Sequence, residues 1–131
     1  MGKTPPKVGL EMRQEHADDL ALIDGYGDGG FRVKGRRFEG SIVISPQGVW
    51  PVEVDDKGEP TDHFLEVLSL EKLDLLLVGR GSALQPLPKE MRLSLEKAAL
   101  AYDCMDTGAA ARTYNVLLIE GRRVAAILKA L

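Results

Sequence analysis

A chain of 131 residues with 44% hydrophobic and 28% charged side chains has the size and balance of one packed globular domain. Its formal net charge of -3 argues against a nucleic-acid partner, because binding a phosphate backbone needs a basic face. The short basic pairs Arg36-Arg37 and Arg122-Arg123 read as solvated surface charge.

Residues 1–18 are polar, contain Pro5-Pro6 and show little periodicity, so they are expected to form a flexible arm ahead of a single α/β domain over 19–131. Ala21 to Tyr26 reads as a strand, and Gly27-Asp28-Gly29-Gly30 as a turn. Phe31 to Lys34 alternates apolar and polar residues, Lys34-Gly35-Arg36 permits a tight hairpin turn, and Phe38 to Ser45 reads as one longer strand. These make an N-terminal antiparallel meander. Trp50 to Val54 is expected as a short edge strand, because Pro51 cannot donate to a central ladder.

Thr61 is placed to cap a helix from Asp62 to about Leu70 that buries Phe64, Leu65 and Leu68. Leu73 to Gly79 is a near-continuous apolar run, which suits a strand covered on both faces. A helix from about Pro88 to Ala101, an interior strand at Asp103 to Met105, a helix capped at Asp106 or Thr107 and a strand at Val124 to Leu128 follow. Gly121 is the expected left-handed terminator of that last helix. The C-terminal half is thus β-α-β-α-β, and the whole is a three-layer α/β domain with a mixed sheet.

Little in the chain points to chemistry. Cys104 is the one cysteine, too few for an internal disulfide, and lies in an apolar run as a small buried hydrophobe. His16 and His63 show no metal spacing with each other or with Cys104, so no metal or cofactor is expected. No segment approaches the ~20 apolar residues of a membrane span. The N-terminus lacks the apolar core of a signal peptide, and Pro6 breaks the myristoylation pattern that Met1-Gly2 begins. The bacterial cytoplasm is the expected compartment. Val78-Gly79-Arg80-Gly81-Ser82 follows a buried strand as a dinucleotide-binding turn would, but Leu84 stands where the third glycine belongs, and Pro86 and Pro88 separate the loop from its helix.

The segment Asp106 to Arg123 holds more. At 100° per residue, Ala110, Tyr114, Leu117 and Leu118 form one apolar stripe. Val116 and Ile119 fall near the opposite side with Arg112 and Asn115. Either the helix is sandwiched in the core, the favoured reading, or it offers a second face to a partner. Arg112, Asn115 and Glu120 can form a structural network, or Arg112 can join the free amides near Thr107 to bind a small anion. No nucleophile is paired with a base, so catalysis is not expected.

The residues Ile23-Asp24-Gly25-Tyr26-Gly27, the Phe31 to Ser41 hairpin, Trp50 and Leu76 to Gly81 carry a family likeness. So do Met105-Asp106-Thr107, Ala110 to Leu117 and Glu120 to Ala126. In their order and spacing the chain resembles the small single-domain proteins of unknown function that include mitochondrial complex I (NADH dehydrogenase) assembly factor 3. It departs from that pattern in having Arg80 where the family commonly places Thr, and Ala111 where it often has Cys. The second departure argues against a shared thiol reaction. The resemblance implies a three-layer α/β fold, no established catalytic activity and a protein partner, such as a membrane-complex subunit or its biogenesis machinery.

Two functions are therefore in view. One is a non-enzymatic interaction or assembly factor. The other is a small-ligand or anion-binding module, with or without catalysis, sited between Gly79-Arg80-Gly81 and the Thr107-Arg112 helix start. The candidate ligand or partner residues are Gly79, Arg80, Gly81, Asp106, Thr107, Arg112, Asn115 and Glu120.

Overall fold

Along Leu75–Gly79 (β7) every residue is apolar, and the strand sits inside a sheet with both faces covered, as such a run requires. In the computed structural model, which describes residues 10–11 and 20–131, that sheet has the order β1-β6-β5-β9-β7-β8. Its other strands are β1 (Leu10–Glu11), β5 (Ile42–Ser45), β6 (Gly48–Pro51), β8 (Tyr102–Met105) and β9 (Val124–Leu128). β7 pairs parallel with β8 and β9, whereas β9–β5, β5–β6 and β6–β1 are antiparallel, so the sheet is mixed. The crossovers are α1 (Lys89–Lys97) between β7 and β8, and α2 (Thr107–Ile119) between β8 and β9.

The period of two sorts the strand side chains into two cores. Ile42, Ile44, Leu77, Val124, Ala126 and Leu128 face α2 and a separate small sheet, β2 (Ile23–Gly27), β3 (Gly30–Val33) and β4 (Arg36–Glu39). Val43, Trp50, Leu76, Val78, Ala125 and Ile127 face α1 and the segment 62–73. This is the expected three-layer α/β class, with the meander folded into its own three-stranded antiparallel sheet.

Several elements differ from expectation for identifiable reasons. The strand read over Phe38 to Ser45 is two strands in two sheets. Gly40 takes φ 80° between them, a value that glycine adopts without a Cβ penalty, and its N–H donates to the Gly29 carbonyl. The helix read over Asp62 to Leu70 is two 3₁₀ segments, Asp62–Val67 and Leu70–Lys72. Phe64, Val67, Leu70 and Leu73 recur every three residues, and all four pack into the α1-side core, so a three-residue turn aligns them better than an α-helix would. Thr61 precedes the first segment but makes no side-chain cap hydrogen bond.

α1 stops at Lys97 rather than near Ala101, because Ala99 turns left-handed at φ 55° and Leu100 N–H returns to the Leu95 carbonyl, burying both leucines. β8 is an edge strand rather than an interior one, pairing among the described residues with β7 alone. The strand around Trp50 runs Gly48–Pro51 instead of Trp50 to Val54, with Pro51 at its end. The arm expected over residues 1–18 lies outside the described residues, except Leu10–Glu11, which pair with Val49 and Gly48. His16 also lies outside them.

α2 presents Ala110, Ala111, Tyr114 and Leu118 to the core. Tyr114 is fully buried, and its hydroxyl has no hydrogen-bond partner among the described residues. Burial pushes its ionisation well above the ordinary phenol range. A buried, unpartnered hydroxyl is a standing cost of roughly 1–3 kcal/mol. Tyr114→Phe is therefore expected to unfold at the same or higher urea concentration than the parent. Tyr114→Ala is expected to lose about 3–5 kcal/mol by opening a cavity. Equilibrium unfolding of the two variants checks both signs.

Candidate functional site

Where β7 ends, the chain must leave the sheet beside the start of α2, and close approach dictates the residues. A Cβ on Gly79 would stand 3.0 Å from Thr107 Cα, Thr107 Oγ1 and Leu128 Cδ2. Gly81 takes φ 100°, a conformation open to glycine. Thr107 is fully buried in the gap so formed. Its hydroxyl accepts the Gly81 N–H at 2.9 Å and donates to the Lys129 carbonyl at 2.7 Å. Its own N–H donates to the Gly81 carbonyl at 2.8 Å. Asp106 is the N-cap, accepting the Ala109 N–H at 2.8 Å.

Arg80 turns inward and is only 2% exposed. Its Nη1 and Nη2 donate to the two Glu59 carboxylate oxygens at 2.8 and 3.1 Å. Nη2 also reaches the Pro86 carbonyl at 3.1 Å, and Nε the Gln85 carbonyl at 3.4 Å. Lys129 Nζ adds a second cation to Glu59 at 3.1 Å. The arginine hydrogen bonds hold the Glu59 carboxyl below its ordinary range, against the opposing effect of burial. The pair fastens the 81–88 loop and the 55–59 turn to the end of β7. The Gly79-Arg80-Gly81 turn and the α2 start thus meet, as the anion-site reading requires, but four of the five Arg80 N–H donors, the Gly81 and Thr107 N–H groups and the Thr107 hydroxyl bind protein acceptors.

The remaining candidates separate. Asn115 faces the small sheet, where Oδ1 accepts the Ile23 N–H at 2.9 Å and Nδ2 donates to the Ile23 carbonyl at 3.0 Å. It thus serves the edge of β2 as another strand would. Arg112 is exposed and donates from Nη1 to the Tyr26 hydroxyl at 3.0 Å. Glu120 is an exposed C-cap, and Gly121 is left-handed at φ 80° as expected. The sandwiched reading of α2 is overturned, because Val116 is 54% and Ile119 62% exposed. Asn115 leaves the candidate partner face, while Arg112, Val116 and Ile119 stay on it.

Elsewhere, Cys104 is half-buried on the edge strand rather than in the core, and desolvation, its largest influence, raises its thiol pKa. His63 Nδ1 lies 3.0 Å from Glu53 Oε1 at the surface. Arg37 and Arg123 pair with Glu39 and Asp74. Glu59, Lys129 and Tyr26 matter here and were not singled out from sequence. Their partners lie 21, 70 and 86 residues away, beyond the reach of local spacing.

Because Glu59 is depressed in the fold, its contribution is complete above the ordinary carboxylate pKa, about 4.3, and is lost as pH falls through the lower folded value. Glu59→Gln is expected to destabilise most near neutral pH, with the difference from the parent shrinking below about pH 4. Arg80→Ala leaves a part-buried carboxylate with Lys129 alone. Its cost is expected at roughly 2–3 kcal/mol, under the 3–5 of a fully buried pair. Denaturant unfolding from pH 7 to pH 3 measures both.

With this geometry in place, four likenesses bear on what the chain is for. A family model described as a protein of unknown function (DUF498/DUF598) matches residues 23–129. An uncharacterised protein of Rhodobacter capsulatus is 41% identical over 107 residues, covering 81% of this chain and 82% of the relative. The human NADH dehydrogenase [ubiquinone] 1 alpha subcomplex assembly factor 3 is 26% identical over 121 residues, 91% of this chain. The chain spans 66% of that human protein's length. Among solved structures, one titled as an outer membrane protein from Bartonella henselae aligns with a TM-score of 0.75 at 40% identity, covering 85% of this chain and 95% of that one.

Proposed function

Since the chain belongs to the DUF498/DUF598 family of proteins of unknown function, we propose that it is a non-enzymatic interaction protein, an assembly or biogenesis factor that contacts a subunit or helper of a membrane complex. The observation that carries this reading is the outward face of α2. Its inner face is buried across Ala110, Ala111, Tyr114 and Leu118, while Val116 and Ile119 stand in solvent one turn apart with Arg112 on the same stripe. Exposed branched apolar residues at i and i+3 on a rigid, well-packed helix are the form a helix-face contact takes. The likeness to the human assembly factor supplies the kind of partner. No helix among the described residues is long and apolar enough to cross a membrane, so contact with such a complex would run through protein surface rather than through a helical span of these residues.

The second reading, a small-ligand or anion site between Gly79-Arg80-Gly81 and the α2 start, is less favoured by the geometry. Four of the five Arg80 N–H donors go to Glu59, Gln85 and Pro86, and the Thr107 hydroxyl is used as both donor and acceptor.

Val116→Asp with Ile119→Asp changes only solvent-exposed side chains and is expected to move stability by no more than about 0.5 kcal/mol each. Affinity capture from the native host is expected to recover respiratory or membrane-biogenesis proteins with the parent and to lose them with the double variant. Recovery of no such protein with the parent, or equal recovery with the double variant, overturns the reading.

A further inference from the structure

The outer face of the small sheet carries a charge arrangement that sheet stability does not explain. In the register of β3 and β4, Arg32 stands directly opposite Arg37. Like charges at directly opposed positions destabilise a sheet. Arg37 is compensated, since Nε and Nη2 donate to Glu39 and Nη2 also donates to the Asp28 carbonyl at 2.8 Å. Arg32 is exposed, and among the described residues no hydrogen bond or ion pair engages it.

Across β3 on its other side, Arg32 faces Gly25, at a bulge where the register shifts between Ile23 and Gly25. The Arg32 Nη2 lies 3.6 Å from the point a Gly25 Cβ would occupy, so the guanidinium lies over bare backbone. The Arg37 guanidinium lies likewise over Gly30, with Nη2 2.8 Å from the corresponding point. The result is an open cavity of about 310 Å³ lined by Gly25, Tyr26, Asp28, Arg32 and Arg37. Tyr26 continues to the Arg112 guanidinium through its hydroxyl.

The geometry points to an oxyanion-binding site in this cavity, taking a carboxylate or phosphate group on the free Arg32 fork with Arg37 behind it. A guanidinium matches both groups bidentately. The local charge also favours it. Arg32, Lys34, Arg37 and Arg112 give +4 against -3 from Asp24, Asp28 and Glu39, a surplus of +1 in a chain of net -3. Asp28 lines the cavity and opposes the anion, whereas Asp24 accepts the Gly35 N–H at 2.6 Å, and Glu39 is held by Arg37. The oxyanion could come free in solution or on an acidic segment of a protein. The site is independent of the α2 face and stands even if no assembly partner exists.

Amide NMR titration of the full chain at fixed ionic strength tests it, with inorganic phosphate as one probe and a tetraglutamate peptide as the other. Saturable shifts confined to 25–28 and 32–37 are expected. Arg32→Ala is expected to weaken them by roughly tenfold or more, as loss of a bidentate charge-assisted contact implies. Arg36→Ala, whose guanidinium stacks on Phe38 at the opposite face of the strand, is expected to bind within about twofold of the parent. Tighter binding of phosphate assigns a free oxyanion, and tighter binding of the peptide assigns a carboxylate-bearing segment. The Val116→Asp, Ile119→Asp variant should titrate like the parent, so failure of the α2 reading and failure of this one are separable. Absence of saturation with both probes overturns the site, as does equal weakening by Arg32→Ala and Arg36→Ala.

Discussion

One side chain, Thr107, holds together the place where this fold changes direction. Its hydroxyl and amide join the loop after β7, the first turn of α2 and the strand end of β9 through three hydrogen bonds in a space that water does not reach. An unmade hydrogen bond in such a space carries its full desolvation penalty, so the three elements meet in one arrangement. Gly79 is the complementary requirement, because any Cβ there would press on Thr107 and Leu128 together. The Arg80–Glu59–Lys129 cluster then lies immediately after that junction and ties two otherwise independent loops to it.

That junction occupies the position where open α/β sheets usually bind ligands, beyond the carboxyl ends of parallel strands. In this chain the same donors are spent internally. A buried ion pair is not by itself a source of stability, since desolvating two charges offsets most of their attraction. What it does supply is a penalty for any alternative arrangement of the 55–59 turn or the 81–88 loop, which would strand Arg80 without acceptors. Filling the junction with structural contacts moves the exposed chemistry elsewhere, to the outer face of α2 and the outer face of the small sheet.

How much of this was legible in the sequence depends on the distance between partners. The apolar run at Leu73 to Gly79 announces a strand covered on both faces, Asp106 or Thr107 a helix start, and Gly121 its end, because each signal is local. The two faces of α2 were visible on a helical wheel, but which one met solvent was not, since the small sheet covers only the Tyr114 side. Asn115, expected in a structural network, binds the Ile23 backbone 92 residues away, a partner that no local spacing can name. The break at Gly40 is hidden because strand-forming residues stand on both sides of it, Phe38-Glu39 and Ile42 to Ser45, the two halves serving different sheets. The Arg32–Arg37 opposition needs the β3–β4 register before it can be seen at all.

The two exposed surfaces join through Tyr26. Its hydroxyl accepts from Arg112 on the α2 stripe, while Tyr26 itself lines the Arg32 cavity. Gly108 keeps that contact possible, because a Cβ there would stand 2.7 Å from the Tyr26 hydroxyl and 3.3 Å from Arg112 Nη1. A helix glycine normally costs about 1 kcal/mol relative to alanine. Here it sits in the first turn of α2, where it admits a tyrosine from the neighbouring sheet and sets Arg112 between an apolar strip and a cationic hollow. The Arg112–Tyr26 hydrogen bond thereby ties the first turns of α2 to the lining of the Arg32 cavity.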